Sequence, residues 1–216
     1  MPDPPTPRVQ VRRLPERGSY DRDLINSILD EALICHVAFV HDGTPVAIPT
    51  IHARVGDTLY FHGSPASRML RGMRSGEAIS VNVTLLDGLV VARAAFHNSM
   101  NYRSVVLFGE PRMVDDPDEK WRALEAVTEH VLPGRWADSR PMTEKEMKGT
   151  LVAAVTIDEA SAKVRSGGPG DDAADYELPI WAGVIPLELR PDDPITDPQQ
   201  TVDAPLPPYV EEYRRP

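Results

Sequence analysis

A chain of 216 residues with 41% hydrophobic and 26% charged residues is sized for one domain whose core needs neither disulfides nor a structural metal. Its net charge of −10 excludes a general nucleic-acid-backbone binder, which draws affinity from clustered Lys and Arg, but leaves room for a local basic pocket. The single cysteine, Cys35, excludes an internal disulfide and suits a reducing compartment. No run approaches the ~20 apolar residues of a membrane span. Met1 to Arg13 is rich in Pro and Arg and lacks the apolar centre of a secretory leader, so a soluble cytoplasmic protein is expected.

Many of the 22 prolines sit at the two ends of the chain. Residues 1–15 read as an extended arm, 16–188 as the folded domain and 189–216 as a proline-rich tail. Leu24, Ile25, Ile28, Leu29 and Ala32 recur at helical spacing after Tyr20. From Ile34 the texture becomes β: Ile34–His41, a turn at Asp42-Gly43, Thr44–Arg54, a turn at Gly56-Asp57, and Thr58–Gly63. Met69, Leu70 and Met73 make the apolar stripe of a short helix beginning near Ser64 or Ser67. Glu77–Leu86 and Leu89–Ala95, joined at Asp87-Gly88, read as another hairpin, and Tyr102–Val114 as a long strand. Asp116, Pro117 and Glu119 have the pattern of an N-cap, first helical position and capping box, with Trp121, Leu124, Val127 and Val131 as the stripe. Leu151 to Ile157 alternates as a last strand. Hairpin-linked strands with few helices between them predict a mainly β fold with helical additions, not a doubly wound sheet.

Three stretches could carry chemistry. In Tyr60-Phe61-His62-Gly63-Ser64-Pro65-Ala66-Ser67-Arg68 a strand runs through Gly63 into a helix start bearing two hydroxyls and a guanidinium. That combination suits a phosphate, although an ordinary helix cap is the default reading of such a helix start. Phe96 to Ser104 is a dense polar and aromatic cluster, longer than a plain hairpin requires. Ser161 to Arg165 leads into an acidic, Gly-rich loop and then Trp181, which could stack on a planar ring or pack in the core. Familiar alternatives lack support. The six histidines have no zinc-helix spacing, so no metal site is expected, and no serine sits in a nucleophile elbow. Cys35 lies in an apolar strand, where an inert thiol is expected. No Gly-x-Gly-x-x-Gly opens a helix.

The order of these stretches resembles the flavin-nucleotide-binding branch of the pyridoxamine 5'-phosphate oxidase-like split barrels, the branch that includes nitroimidazole-resistance proteins. The resemblance spans about Arg17 to Leu187 and rests on Arg17–Asp21, Cys35–Phe39, Leu59–Ser64, Asn101–Val105, Ser161–Arg165 and Trp181–Pro186. It implies a six-stranded antiparallel split β-barrel, a homodimer with FMN at the subunit interface, and redox chemistry on a small organic molecule. By similarity, Pro49 and Thr50 would run beside the flavin ring, and His62, Gly63 and Ser64 would border it. Ser67 and Arg68 would hold the phosphate, Asn101, Tyr102, Arg103 and Ser104 would line its ribityl end, and Trp181 would approach from the C-terminal part. His62 is the candidate catalytic residue. Met69 follows Arg68 where pyridoxamine phosphate oxidases continue with Lys, and their C-terminal substrate-binding Arg motif is not evident, so that particular oxidation is not implied. Two further readings stay open: a flavin-binding redox sensor or carrier without turnover, and a split barrel holding deazaflavin or haem, with His62 or His97 as axial ligand.

Overall fold

The computed structural model describes residues 4–214; the outermost parts of the two predicted arms, residues 1–3 and 215–216, lie outside the described residues. The first helix, α1 (Arg22–Glu31), starts where Asp21 accepts the Leu24 amide, and buries Ile25, Ile28 and Leu29. Strands β2 (Ile34–His41) and β3 (Thr44–Ile51) form the expected hairpin. Asp42 and Gly43 both take positive φ, 50° and 72°, which a two-residue primed turn requires. Pro45 and Pro49 are tolerated because β3 is an edge strand with only β2 beside it.

The predicted run Thr44–Arg54 is not one strand. It breaks at the buried His52, and β4 (Ala53–Val55) continues in another sheet, paired with β5 (Thr58–Gly63). Asp87-Gly88 is likewise not a turn. Strand β6 (Ile79–Val91) runs through it with a bulge between Leu86 and Gly88, and its true hairpin partner is β7 (Ser99–Gly109). Gly88 is needed for close approach. A Cβ there would lie 3.0 Å from the Ile185 carbonyl oxygen on β11 (Gly183–Pro186), which pairs with β6. After β7 the chain passes Pro111 into β8 (Arg112–Met113), again changing sheets.

With β1 (Gly18–Ser19), β9 (Leu151–Thr156) and β10 (Glu159–Arg165), the described residues hold eleven strands in two antiparallel sheets, not six in one. The larger has the order β1-β10-β7-β6-β2-β3 with β11 on β6, and the smaller is β4-β5-β9-β8. Short strands and the two sheet changes account for the higher number; the split-barrel architecture is as expected. Between the sheets lies the main core, including Val37, Phe39, Phe61, Val81, Leu107 and Val155, with α1 and α2 (Arg68–Met73) packed into it.

A second cluster, Tyr60, Val114, Ala123, Leu124, Val152 and Ala154, joins the far side of the smaller sheet to α3 (Pro117–Val131). Asp116 caps α3 as expected. Glu119 does not complete a capping box; it instead accepts the Tyr60 hydroxyl at 2.8 Å and pairs with Arg112. The complete box is at α4 (Glu144–Gly149), between Thr143 and Glu146. No described helix is long and apolar enough to cross a membrane.

Candidate functional site

The β5–α2 junction assembles the first group of candidate residues. Phe61 points into the main core and Tyr60 into the second cluster, so by strand alternation His62 shares the side of Tyr60. His62 is half-buried, its Nδ1 is sealed from solvent without a partner, and desolvation lowers its pKa, favouring the neutral ring. Gly63 is where the strand leaves for the helix: a Cβ would lie 3.2 Å from Leu70 Cδ1. Both hydroxyls are engaged locally, Ser64 Oγ accepting the Ala66 amide at 3.2 Å and Ser67 Oγ the Leu70 amide at 3.4 Å. Helix α2 has six residues, and its serines are caps. The cationic component is more extensive than Ser67-Arg68 suggested. Arg68, Arg71 and Arg74 are all exposed at intervals of three residues and enter no ion pair among the described residues. Sequence reasoning singled out only the first.

Pro49 and Thr50 lie on β3, opposite His36 and Cys35 respectively. Pro49 and His36 therefore face outward, while Thr50 shares the side of the buried Cys35. Burial pushes the Cys35 thiol up to about 12, against a smaller opposing backbone hydrogen bond, so it stays protonated and inert. The outward face of β2 continues through Ile34, His36, Ala38 and Val40 and is joined across the ladder by Ser80 and Asn82 of β6.

Strand β7 divides its four candidates by alternation. Tyr102 and Ser104 share the outward side, and the Ser104 hydroxyl donates to the Lys163 carbonyl at 3.2 Å. Asn101 is buried, donating to the Gly167 carbonyl at 3.0 Å and accepting from Arg165. Arg103 is a clamp. Its Nη2 lies 2.8 Å from both Glu31 Oε1 and Asp87 Oδ1, its Nε contacts both Asp87 oxygens, and its Nη1 donates to Glu31. These charge-assisted bonds raise its pKa further and occupy its donors, so Arg103 ties α1 to the β6–β7 hairpin. Trp181 is 64% exposed, outside the core. Thus Pro49, His62, Gly63, Ser64, Ser67 and Arg68 come from β3 and the β5–α2 junction, whereas residues 101–104 and Trp181 belong to the β6–β7 arm and the loop after β10.

Sequence reasoning missed one large feature. A cleft of about 1070 Å³ opens between the end of α1, the middle of β6 and the C-terminal segment, with Glu31, Asp87, Arg103, Leu187 and Tyr213 in its walls. It exists because the tail returns to the body. The Tyr209 hydroxyl donates to Asp138 Oδ2 at 2.6 Å, and that of Tyr213 to the Val131 carbonyl at 3.1 Å. The aromatic spacing of Tyr209 and Tyr213 in an otherwise polar tail was the available signal.

Two packed antiparallel sheets with added helices define a split-barrel fold, and this one carries unpaired arginines at a strand–helix junction. The chain belongs to the pyridoxamine 5'-phosphate oxidase family, whose sequence profile matches residues 21–164. Among solved structures it is similar to the flavocytochrome Anf3 from Azotobacter vinelandii, with 38% identity, TM-score 0.93 and 99% of each chain covered. It is also similar to an FAD- and haem-binding protein from Mycobacterium smegmatis, with 41% identity, TM-score 0.85 and coverage of 90% of this chain and 95% of that one. A candidate 5-nitroimidazole antibiotic resistance protein from Bacteroides thetaiotaomicron shares the fold at 23% identity and TM-score 0.58, over 68% of this chain and 86% of that one. Comparison with curated proteins gave no match.

Proposed function

We propose that this chain is a flavin- and haem-binding oxidoreductase whose cofactors lie between two copies of itself. The observation that carries the reading is likeness along nearly the whole chain, at 38% and 41% identity, to a flavocytochrome and to an FAD- and haem-binding protein. The family resemblance pointed to FMN. The second relative and the three unpaired arginines favour FAD, because a pyrophosphate uses several guanidinium groups where a single phosphate needs one or two. Haem joins the flavin in this reading and does not replace it.

The residues fit such groups. Arg68, Arg71 and Arg74 offer charge without competing carboxylates, and the exposed Trp181 offers a face for stacking. His36, flanked by Ile34 and Ala38 on the outward face, and His62, with its unpartnered Nδ1, are the imidazoles we assign as candidate iron ligands. His97 lies instead 3.6 Å from Asp172. When bound, the cofactors supply the electron chemistry; the protein binds, orients and shields them.

The test is purification without added cofactor, an absorption spectrum, and mass identification of what denaturation releases. Flavin bands with a Soret band, and released FAD and haem, are expected. A protein that is colourless and takes up neither FAD, FMN nor haem overturns the reading, and release of a deazaflavin or of FMN alone overturns its cofactor assignment. Arg68→Ala should weaken flavin binding about tenfold while leaving thermal stability unchanged.

A further inference from the structure

The geometry points to a binding site for a divalent first-row transition ion, such as Zn²⁺, formed by His97, Asp172 and Asp175, which fastens the loop after β10 to the tip of the β6–β7 hairpin. His97 ends the short 3-10 turn at that tip, Ala95–His97. Asp172 and Asp175 open the 3-10 turn Ala173–Glu177 in the loop. One ligand atom from each of the three residues lies within 4.8 Å of the other two, and His97 Nε2 is 3.6 Å from Asp172 Oδ2. Ligands sharing one ion at ~2.1 Å stand roughly 3–4 Å apart. The widest separation, up to 4.8 Å, therefore needs to contract by about 1–2 Å. The Asp172 side chain is 84% exposed and free to supply that movement by rotating.

The scaffold that brings the three together is independent of any ion. The neighbouring Asp171 carboxylate is fully buried and accepts the Arg93 amide at 3.0 and 3.1 Å and the Ala94 amide at 3.3 Å. Burial acts to raise the Asp171 carboxyl, but the Arg93 and Ala94 amides and the Arg93 guanidinium outweigh it and hold it below its ordinary value. This fixes residue 172 beside the hairpin tip. The Asp175 amide donates to the Asp172 carbonyl at 2.9 Å, which sets the two acids on one turn.

Charge is left over at this place. Arg93 is committed to Asp171, at 3.1 Å, and to the face of Tyr176, 4.8 Å from its centroid. Two carboxylates thus face one imidazole, a net anionic pair with a nitrogen donor. An imidazole with two carboxylates suits Zn²⁺ and its neighbours better than Ca²⁺ or Mg²⁺, and three protein ligands leave positions open for water. Apart from the Asp171 side chain, the residues of 166–182 are exposed or half-buried. A second fastener beside Asp171 would therefore do much to position this loop and its Trp181.

The test uses the full chain with its native cofactors, stripped of loosely bound metal by chelation. Calorimetric titration with Zn²⁺ is expected to show about one saturable site per chain, weakened about tenfold or more by His97→Ala and by Asp175→Asn. His41→Ala, which alters another His–Asp pair at 3.6 Å, is expected to leave it unchanged. Zn²⁺ should also slow chymotryptic cleavage at Tyr176 in the wild type and not in Asp175→Asn. Absence of saturable binding, equal affinity in both variants, or equal affinity for Ca²⁺ would each overturn the proposal.

Discussion

His52 shows how one side chain can set the pH range of the fold. It is fully buried beneath α1, and its Nε2, 2.9 Å from the Leu29 carbonyl oxygen, is the donor when that nitrogen carries the proton. The ring of His130 lies 5.0 Å away, with its own Nε2 2.7 Å from the Ala32 carbonyl oxygen. Two imidazoles thus serve the open carbonyls at the end of one helix. Burial lowers the His52 pKa from 6.5 to about 4, reinforced by His130 and partly opposed by the Leu29 carbonyl. Because the folded value lies below the unfolded one, the unfolded chain takes up the proton first as the pH falls. The contribution of the neutral ring is complete above about pH 6.5 and is lost progressively towards pH 4, amounting to on the order of 3 kcal/mol. Urea unfolding at about pH 7 and about pH 4.5 should show this loss, and His52→Gln should flatten it while lowering stability at pH 7. An unchanged pH slope in the variant would rule out His52 as its source.

Elements were legible where their signals were local. Helices α1, α2 and α3 could be read because their apolar spacing, and for α2 and α3 the caps at Ser67 and Asp116, lie within a few residues of one another. The sheet changes at His52 and after Gly109 could not, since alternation is the same on either side of a change of sheet. The β5–α2 junction of the candidate site, a strand running through Gly63 into a helix start, was readable from Tyr60 to Arg68. The Arg103 clamp and the Asp171 fastener were not, because their partners are up to 78 residues away in sequence. Asp87-Gly88 illustrates the same limit: the dipeptide is a strong turn signal, but Asp87 is held by Arg103 and Gly88 lies under β11. Gly88→Ala should therefore cost about 1–3 kcal/mol, since the new methyl meets the Ile185 carbonyl oxygen and Val184 Cγ1, both at 3.0 Å. Hydrogen exchange should rise at 183–186 and stay unchanged at 79–83. Uniform protection in the variant would mean that β11 accommodates the methyl without loosening.

At the scale of the molecule, the outward side of the larger sheet is the feature in need of a partner. Ile34 and Val40 on β2 are 52% and 56% exposed, and Leu86 on β6 is 51% exposed. Between Ile34 and Val40 the same face carries His36 opposite Pro49 and Ala38 opposite Ala47. A face that mixes exposed large apolar side chains with polar ones can be covered by another sheet, since two sheets stack ~10 Å apart. A second copy related by a two-fold axis would meet this face with the same face. Light scattering on the purified protein should accordingly give twice the chain mass of 23.9 kDa. Ala38→Arg should convert it to a monomer with unchanged far-ultraviolet dichroism, because residue 38 is exposed in the single chain and needs no repacking there. If the cofactors lie between the copies, the same substitution should strip them from the protein. A dimer that survives Ala38→Arg would place the interface on another face, and a wild-type monomer that nevertheless holds both cofactors would confine their site to one chain.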